Sequence, residues 1–213
     1  MYIPSHFREE NPEALQHYIR EYGFGMLVVA DEEGIEVNHV PFYLSSSVDN
    51  SLLHLQCHLA KSNSVWKRLE VAEGDEGVRV LAVFKGPDAY VSPSWYPGKA
   101  EHGRVVPTWN YLAVHAEGIA KVVQDQHWLK QHLNNLTNQH ESAMPEPWSV
   151  SDAPEEYTDR LMQAIVGIEI RIEKLSGKLK ASQNQPEGNR AGVKAALSKM
   201  DDTDSKEIAK LIR

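Results

Sequence analysis

Four stretches of this 213-residue chain gather side chains able to hold or transform a ligand. Residues 103–118, "GRVVPTWNYLAVHAEG", set Thr108, Trp109, Asn110 and Tyr111 side by side, so a hydroxyl, an amide and two wide aromatic faces share four positions. A core strand takes apolar residues and a solvated loop takes small polar ones. This mixture instead suits a flat, heteroatom-rich ligand. Residues 58–66, "HLAKSNSVW", bring His58, Lys61, Ser62, Asn63 and Ser64 to the junction of a strand and a helix. Free backbone N–H groups at a helix start, a lysine and hydroxyls together make a phosphate cradle; the alternative is an ordinary capped helix with a solvated lysine. Residues 89–96, "AYVSPSWY", place Tyr90, Trp95 and Tyr96 around Ser92 and Ser94, with Pro93 stiffening the backbone; the alternative is an aromatic core edge. Residues 174–190, "KLSGKLKASQNQPEGNR", hold Lys174, Lys178, Lys180 and Arg190, the one basic concentration of an acidic chain. That run is either a solvated face or a source of cations for a phosphate, within one subunit or across a dimer.

None of these stretches contains a nucleophile beside a base. There is no G-x-S-x-G and no glycine-rich phosphate loop, so any chemistry belongs to a bound cofactor. The ten histidines include no H-E-x-x-H and there is no cysteine pair; only His54 and His58 sit close together at a strand end, and no metal site is expected. The formal net charge of −8 argues against a broad DNA-binding surface while leaving room for a local basic patch. The single cysteine, Cys57, excludes an internal disulfide, fits a reducing cytoplasm and reads as a small buried hydrophobe. No run is long and apolar enough to span a membrane, and "MYIPSHFREEN" has no signal-peptide pattern.

Hydrophobic patterning supplies the elements that would position these groups. Asn11 and Pro12 read as the cap and first residue of a helix through "PEALQHYIREY", stopped at Gly23. Residues 26–30 and "IEVNHVPFYL" form a hairpin across Asp31–Gly34. "SLLHLQCHLA" is a strand with Leu53, Leu55 and Cys57 on one face and His54, Gln56 and His58 on the other. A helix capped by Ser62 or Asn63 follows, then two strands in "GVRVLAVFKGPDAYVSPSWY" broken at Gly86-Pro87, and a strand in "VHAEGIAKVV". "DQHWLKQHLNNLTNQHES" and "EEYTDRLMQAI" are helical around the loop "PEPWSVSDAP", and "VGIEIRIEKLSGKLKA" begins as a strand. "SQNQPEGNRAG" reads as a flexible connection to a short amphipathic helix in "DSKEIAKLIR". With 41% hydrophobic residues, the chain is expected to form a single domain over 1–213 with a C-terminal helical extension at about 191–213. Its class is mainly β with added α: about six or seven strands in hairpins curl an antiparallel sheet into a barrel to hide its edges.

In order along the chain, "MYIPSHF", "HVPFYL", "HLAKSN..W", "VFKGPDAYVSPSWY", "VPTWNY..VHAEG" and "KLSGKLKASQN....NRAGV" resemble the PaiB-type FMN-binding proteins, often named negative transcriptional regulators. The likeness runs from Met1 to about Leu197. It implies a split antiparallel β-barrel with peripheral helices, similar to flavin reductases and pyridoxamine-phosphate oxidases. It also implies a homodimer with FMN near the subunit interface, and leaves two roles: a regulator, or an FMN-dependent oxidoreductase drawing on a reduced nicotinamide. Carried onto this chain, the resemblance gives Lys61 and Ser62 the FMN phosphate, with His58 and Asn63 beside them at the helix start. It puts Ser92, Trp95 and Tyr96 along the isoalloxazine, with Thr108, Trp109 and Asn110 completing the pocket. Lys178, Gln183 and Asn184 belong to a C-terminal segment that reaches toward the partner subunit. The tract "PGKAEHG" reads as a mobile loop over the flavin. The chain departs from the family's leucine-serine-glutamine-asparagine-arginine block at Ala181 and Gln185, where an apolar residue and a cation are replaced.

Overall fold

The computed structural model describes residues 1–46, 52–70 and 76–213; of the expected elements, Ser51 at the head of the 51–60 strand lies outside them. A 3-10 turn at Ser5–Phe7 leads into β1 (Arg8–Glu9) and α1 (Pro12–Glu21). β2 (Phe24–Asp31), β3 (Gly34–Pro41), β4 (Tyr43–Ser46), β5 (Leu53–Ala60), a 3-10 helix at Ser64–Leu69 and β6 (Val78–Val91) follow. After a 3-10 turn at Pro93–Trp95 come α2 (Gly98–His102), β7 (Thr108–Val123) and α3 (Gln126–Glu141). α4 (Glu155–Met162), β8 (Ile165–Lys180), α5 (Glu187–Leu197) and α6 (Thr203–Leu211) complete the chain.

The strand order is β3-β2-β6-β7-β8-β5-β4, with β1 paired to β8, and every described ladder is antiparallel. The path ends on β3 and β4, so the expected antiparallel sheet is present without closing into a barrel. The chain divides into two compact units: residues 1–18, 85–115 and 176–213 form the smaller, and residues 19–84 and 116–175 the larger. β6, β7 and β8 each run on from one unit into the other. In the larger unit, period-two alternation buries Leu55, Cys57 and Leu59 from β5 and Val166, Ile168 and Ile170 from β8. Complete burial pushes the Cys57 thiol up to about 12, so it packs as a hydrophobe without thiolate reactivity. In the smaller unit, Leu112, Val114, Leu179, Val193, Leu197, Ile208 and Ile212 are buried.

Four local expectations change. β6 continues through Gly86-Pro87. Its burial passes from even to odd positions there, as at a bulge, and Gly86 admits Leu112 where an added Cβ would lie 2.7 Å from Leu112 Cδ2. β7 begins at Thr108, so the "TWNY" residues stand inside the strand rather than before it. The segment after β5 is a short 3-10 helix whose cap is Asn63, with Oδ1 accepting from Val65 N–H at 3.0 Å. α5 occupies much of the expected flexible connection, beginning directly after Pro186, whose fixed φ suits a helix entry.

One long-range cation locks the hairpin of the larger unit. Arg68 donates Nε–H to Asp31 Oδ2 at 2.7 Å and Nη2–H to Asp31 Oδ1 at 2.6 Å, and it also reaches Gly34 O at 2.8 Å. The paired fork fixes the β2–β3 turn against the 3-10 helix. In the same unit, α3 rests on β5 and β8 through close contacts. Asp125 caps it, accepting from Trp128 N–H at 2.7 Å. Trp128 then lies over Gly167, where a Cβ would come within 2.3 Å of Trp128 Cζ3. His58, the ladder partner of Gly167, has Nδ1 3.1 Å from His132 Nε2, and Trp128 stacks on His132 at 5.3 Å.

Burial holds both imidazoles neutral: it lowers His58, and with the neighbouring His58 it takes His132 down to about 3. Below the ordinary value of 6.5 the unfolded chain binds protons that the folded pair refuses. The stabilising contribution is therefore complete above that value and is lost as pH falls toward about 3. The unfolding free energy from urea titration should fall between about pH 6 and about pH 4.5, at roughly 1.4 kcal/mol per pH unit for His132, with His58 acting in the same direction. His132→Leu should flatten that dependence, and an unchanged slope would rule out the pair as its source. Gly167→Ala should cost about 1–3 kcal/mol by overpacking against Trp128, read from the same urea titration; parental stability would mean that α3 yields freely.

Candidate functional site

In the smaller unit, the start of β7 and the end of β8 converge on a cavity of about 420 Å³. Thr108 and Asn110 occupy alternate positions of β7 and therefore share a face. The Lys180 ammonium donates to Thr108 Oγ1 and lies 5.9 Å from the centre of the Phe7 ring. Asn110 is fully buried; its Nδ2 donates to Ser182 Oγ at 2.9 Å, while its Oδ1 has no protein partner. Ser182 adopts φ +62, a left-handed conformation that a non-glycine residue holds only when its surroundings impose it. Gln183 imposes it from the next position, with Nε2–H donated to Leu179 O at 2.6 Å and Oε1 accepting from Ala181 N–H at 2.7 Å. Tyr96, His102, Arg104, Asn184 and Gln185 add to the polar and aromatic lining, with Asn189 behind Gln185, to which it donates at 3.1 Å. Desolvation, reinforced by nearby Lys178, lowers the Lys180 ammonium below the usual lysine range. A cation so placed gains from an arriving anion.

The structure distributes the expected site residues as follows. Tyr96, Thr108, Asn110 and Asn184 line this cavity. Trp109 faces the other side of β7, 53% exposed, and packs edge-to-face on Tyr90 at 5.9 Å. Ser92 Oγ accepts from Ser94 N–H at 3.2 Å as the cap of the 3-10 turn, and the Trp95 carbonyl abuts Gly192 of α5, where a Cβ would sit 2.1 Å away. Lys178 donates to Tyr2 O at 3.2 Å and lies over the rings of Tyr2 and Tyr111. Gln183 closes the turn described above. The tract expected as a mobile loop contains α2, ended by Gly103 at φ +64, with Gly98 N–H donated to Asn189 Oδ1 at 3.4 Å.

His58, Lys61, Ser62 and Asn63 belong to the larger unit. His58 is committed to His132. Lys61 donates its backbone N–H to Ala164 O at 2.8 Å and accepts from Trp66 Nε1–H at 3.1 Å, with its side chain toward solvent. Ser62 is exposed, and Asn63 Nδ2 donates to Asn38 Oδ1 at 2.7 Å besides capping the 3-10 helix. The lining also includes residues that the sequence expectations did not assign to the flavin pocket, among them Phe7, Arg104, Lys180, Ser182 and Gln185. Lys180 carried a signal in the basic run and Gln185 in the altered block; the buried polarity of Asn110 and Ser182 marks the site only once both are seen under cover.

Residues 1–174 match the family described as "Putative FMN-binding domain". An uncharacterized protein of Emericella nidulans is 34% identical over 100% of this chain and 96% of its own length. "Protease synthase and sporulation protein PAI 2" of Bacillus subtilis is 29% identical over 100% of this chain and 96% of its own. Among solved structures, a conserved hypothetical protein from Mycobacterium tuberculosis superposes with a TM-score of 0.57 at 13% identity, covering 88% of this chain and 95% of that one. The flavocytochrome Anf3 from Azotobacter vinelandii gives 0.56 at 12% identity over 94% and 75%. At such identities these structures speak for the split-barrel fold alone. The extent of the family match, together with a relative 34% identical over the whole chain, makes this chain a member of the FMN-binding split-barrel family to which the PaiB proteins belong.

Proposed function

We propose that the cavity of the smaller unit holds FMN, and that the protein works as a flavin-dependent regulator in homodimeric form. The observation that carries the assignment is the Asn110 amide. A fully buried carbonyl oxygen without a partner costs about 1–3 kcal/mol, and it fits a ligand edge that presents an N–H. The remaining donors agree with the same ligand. Lys180 and Arg104 are cations for a phosphate, Thr108 and Ser182 offer hydroxyls, and Tyr96 and Phe7 give aromatic surface to a flat ring. Arg104 and Lys180 also compensate for Gln185, the position at which the family's cation is replaced.

FMN, when bound, supplies hydride and one-electron transfer. The chain's own residues bind and orient it: Lys180 and Thr108 hold charge and hydroxyl at one end, and the Asn110–Ser182 pair fixes an acceptor below. The name of the B. subtilis relative supports a role in cellular control. The net charge of −8 supports action through a partner rather than through direct DNA contact. The second reading, an oxidoreductase reduced by a nicotinamide, draws its support from the flavin pocket and the split-barrel likeness.

Purified protein should carry visible flavin absorbance. Lys180→Ala should weaken FMN by about 10–100-fold, the loss of one charge-assisted bond, while leaving riboflavin nearly unchanged. Equal weakening of both would detach Lys180 from the phosphate. Selective loss in Lys61→Ala instead would move the phosphate to the strand end in the larger unit. Anaerobic NADH or NADPH should leave the flavin oxidised if the protein is a regulator, whereas bleaching by either donor would install the oxidoreductase reading. DNA retention that declines steeply across a salt series would replace action through a partner with direct contact.

A further inference from the structure

The larger unit contains a second and roomier cavity, about 850 Å³, lined by β4, β5 and β8 on one side and by α3 on the other. A sheet face under a helix ordinarily carries apolar side chains. Here the strands present Ser45, Gln56 and Glu169, and α3 answers with Gln131, Asn135 and Gln139. The helix is anchored by the buried Leu129, His132 and Leu136, so the amides of its polar stripe are not what holds it down. Two polar atoms of that stripe are buried without a protein partner: His132 Nδ1, on a side chain only 1% exposed, and Gln139 Nε2. Each would gain a hydrogen bond from a ligand or ordered water in the adjoining space.

The chemistry of the lining narrows the ligand. Among the described residues its charged members are one cation, Arg20, and one carboxylate, Glu169, whose Oε1 already accepts from Gln56 Nε2 at 3.1 Å and Trp128 Nε1 at 3.4 Å. A phosphate or carboxylate would need surplus cations, and an ammonium would need surplus carboxylates. Trp128 has one ring face occupied by His132, and Tyr43 is the other large aromatic side chain of the lining. What remains is a surface of amides, hydroxyls and the neutral imidazole of His132, most offering both a donor and an acceptor. Sugar hydroxyls have that same dual character at every position.

We propose that this cavity is a binding site for a neutral saccharide, separate from the flavin site and independent of its assignment. The test uses the full-length, FMN-loaded protein and follows the Trp128 indole N–H by NMR during titration with D-glucose, D-galactose, N-acetyl-D-glucosamine and maltose. Glucose 6-phosphate and gluconate serve as anionic counterparts. At least one neutral probe should shift that resonance to saturation at millimolar concentration or below, and the anionic forms should bind more weakly. Asn135→Ala and the solvent-facing Gln131→Ala should each weaken binding about five- to tenfold, the worth of one net hydrogen bond, with flavin absorbance retained. No saturable shift from any of the four neutral probes, tighter binding of an anionic one, or parental affinity in both variants would overturn the proposal.

Discussion

The hydrogen bond from Asn110 to Ser182 is the constraint around which the smaller unit is arranged. It ties the beginning of one long strand to the residue just beyond the end of another, across seventy-two positions of sequence. Ser182 tolerates a left-handed backbone because that bond and the Gln183 clasp over-determine it. The same geometry leaves the Asn110 carbonyl oxygen buried and unspent. A core that sought only stability would have placed an apolar residue there. Retaining an unpaired acceptor beside a desolvated lysine makes sense as preorganisation: the fold bears the desolvation cost in advance, and a ligand that supplies a donor and an anion recovers it.

The larger unit solves a different problem with similar means. α3 is held to the sheet by two leucines, by an indole set over a glycine and by a pair of neutral imidazoles. Those contacts are dense, and they leave the flanking amides free of structural duty. Where the smaller unit gathers cations around its cavity, this one balances a single cation against a single carboxylate. The contrast is one of charge more than of size. A cation-rich lining suits a phosphorylated ring, and a charge-balanced one suits a neutral, hydroxyl-rich molecule.

Several residues that draw attention by composition turn out to work on the scaffold. Asn63 caps a short helix and reaches Asn38; Ser92 caps a turn; Gln183 folds back on its own strand. Amides and hydroxyls satisfy backbone groups at chain reversals as readily as they bind ligands, and local composition does not distinguish the two uses. Lys178 and Lys180 illustrate the same ambiguity. They are two apart on β8, with matching side-chain direction, yet the N-terminal segment claims Lys178 through Tyr2, and Lys180 alone lines the cavity.

What the amino-acid order decided by itself follows from short-range rules. Alternation laid Leu55 and Cys57 inward, Asn11 and Asp125 marked helix starts, and the ordered blocks from Met1 to about Leu197 identified the family and its flavin. Alternation also contains the division of Thr108 and Asn110 from Trp109, once the strand is known to begin at Thr108. Tertiary structure decided the rest: that β6 survives Gly86-Pro87, that His58 meets His132 from seventy-four residues away, that an α3 stripe of amides faces a polar sheet, and which lysine sees the cavity. Each of these depends on a neighbour distant in sequence. Local pattern fixes which way a side chain points, and only the folded chain determines what stands there to receive it.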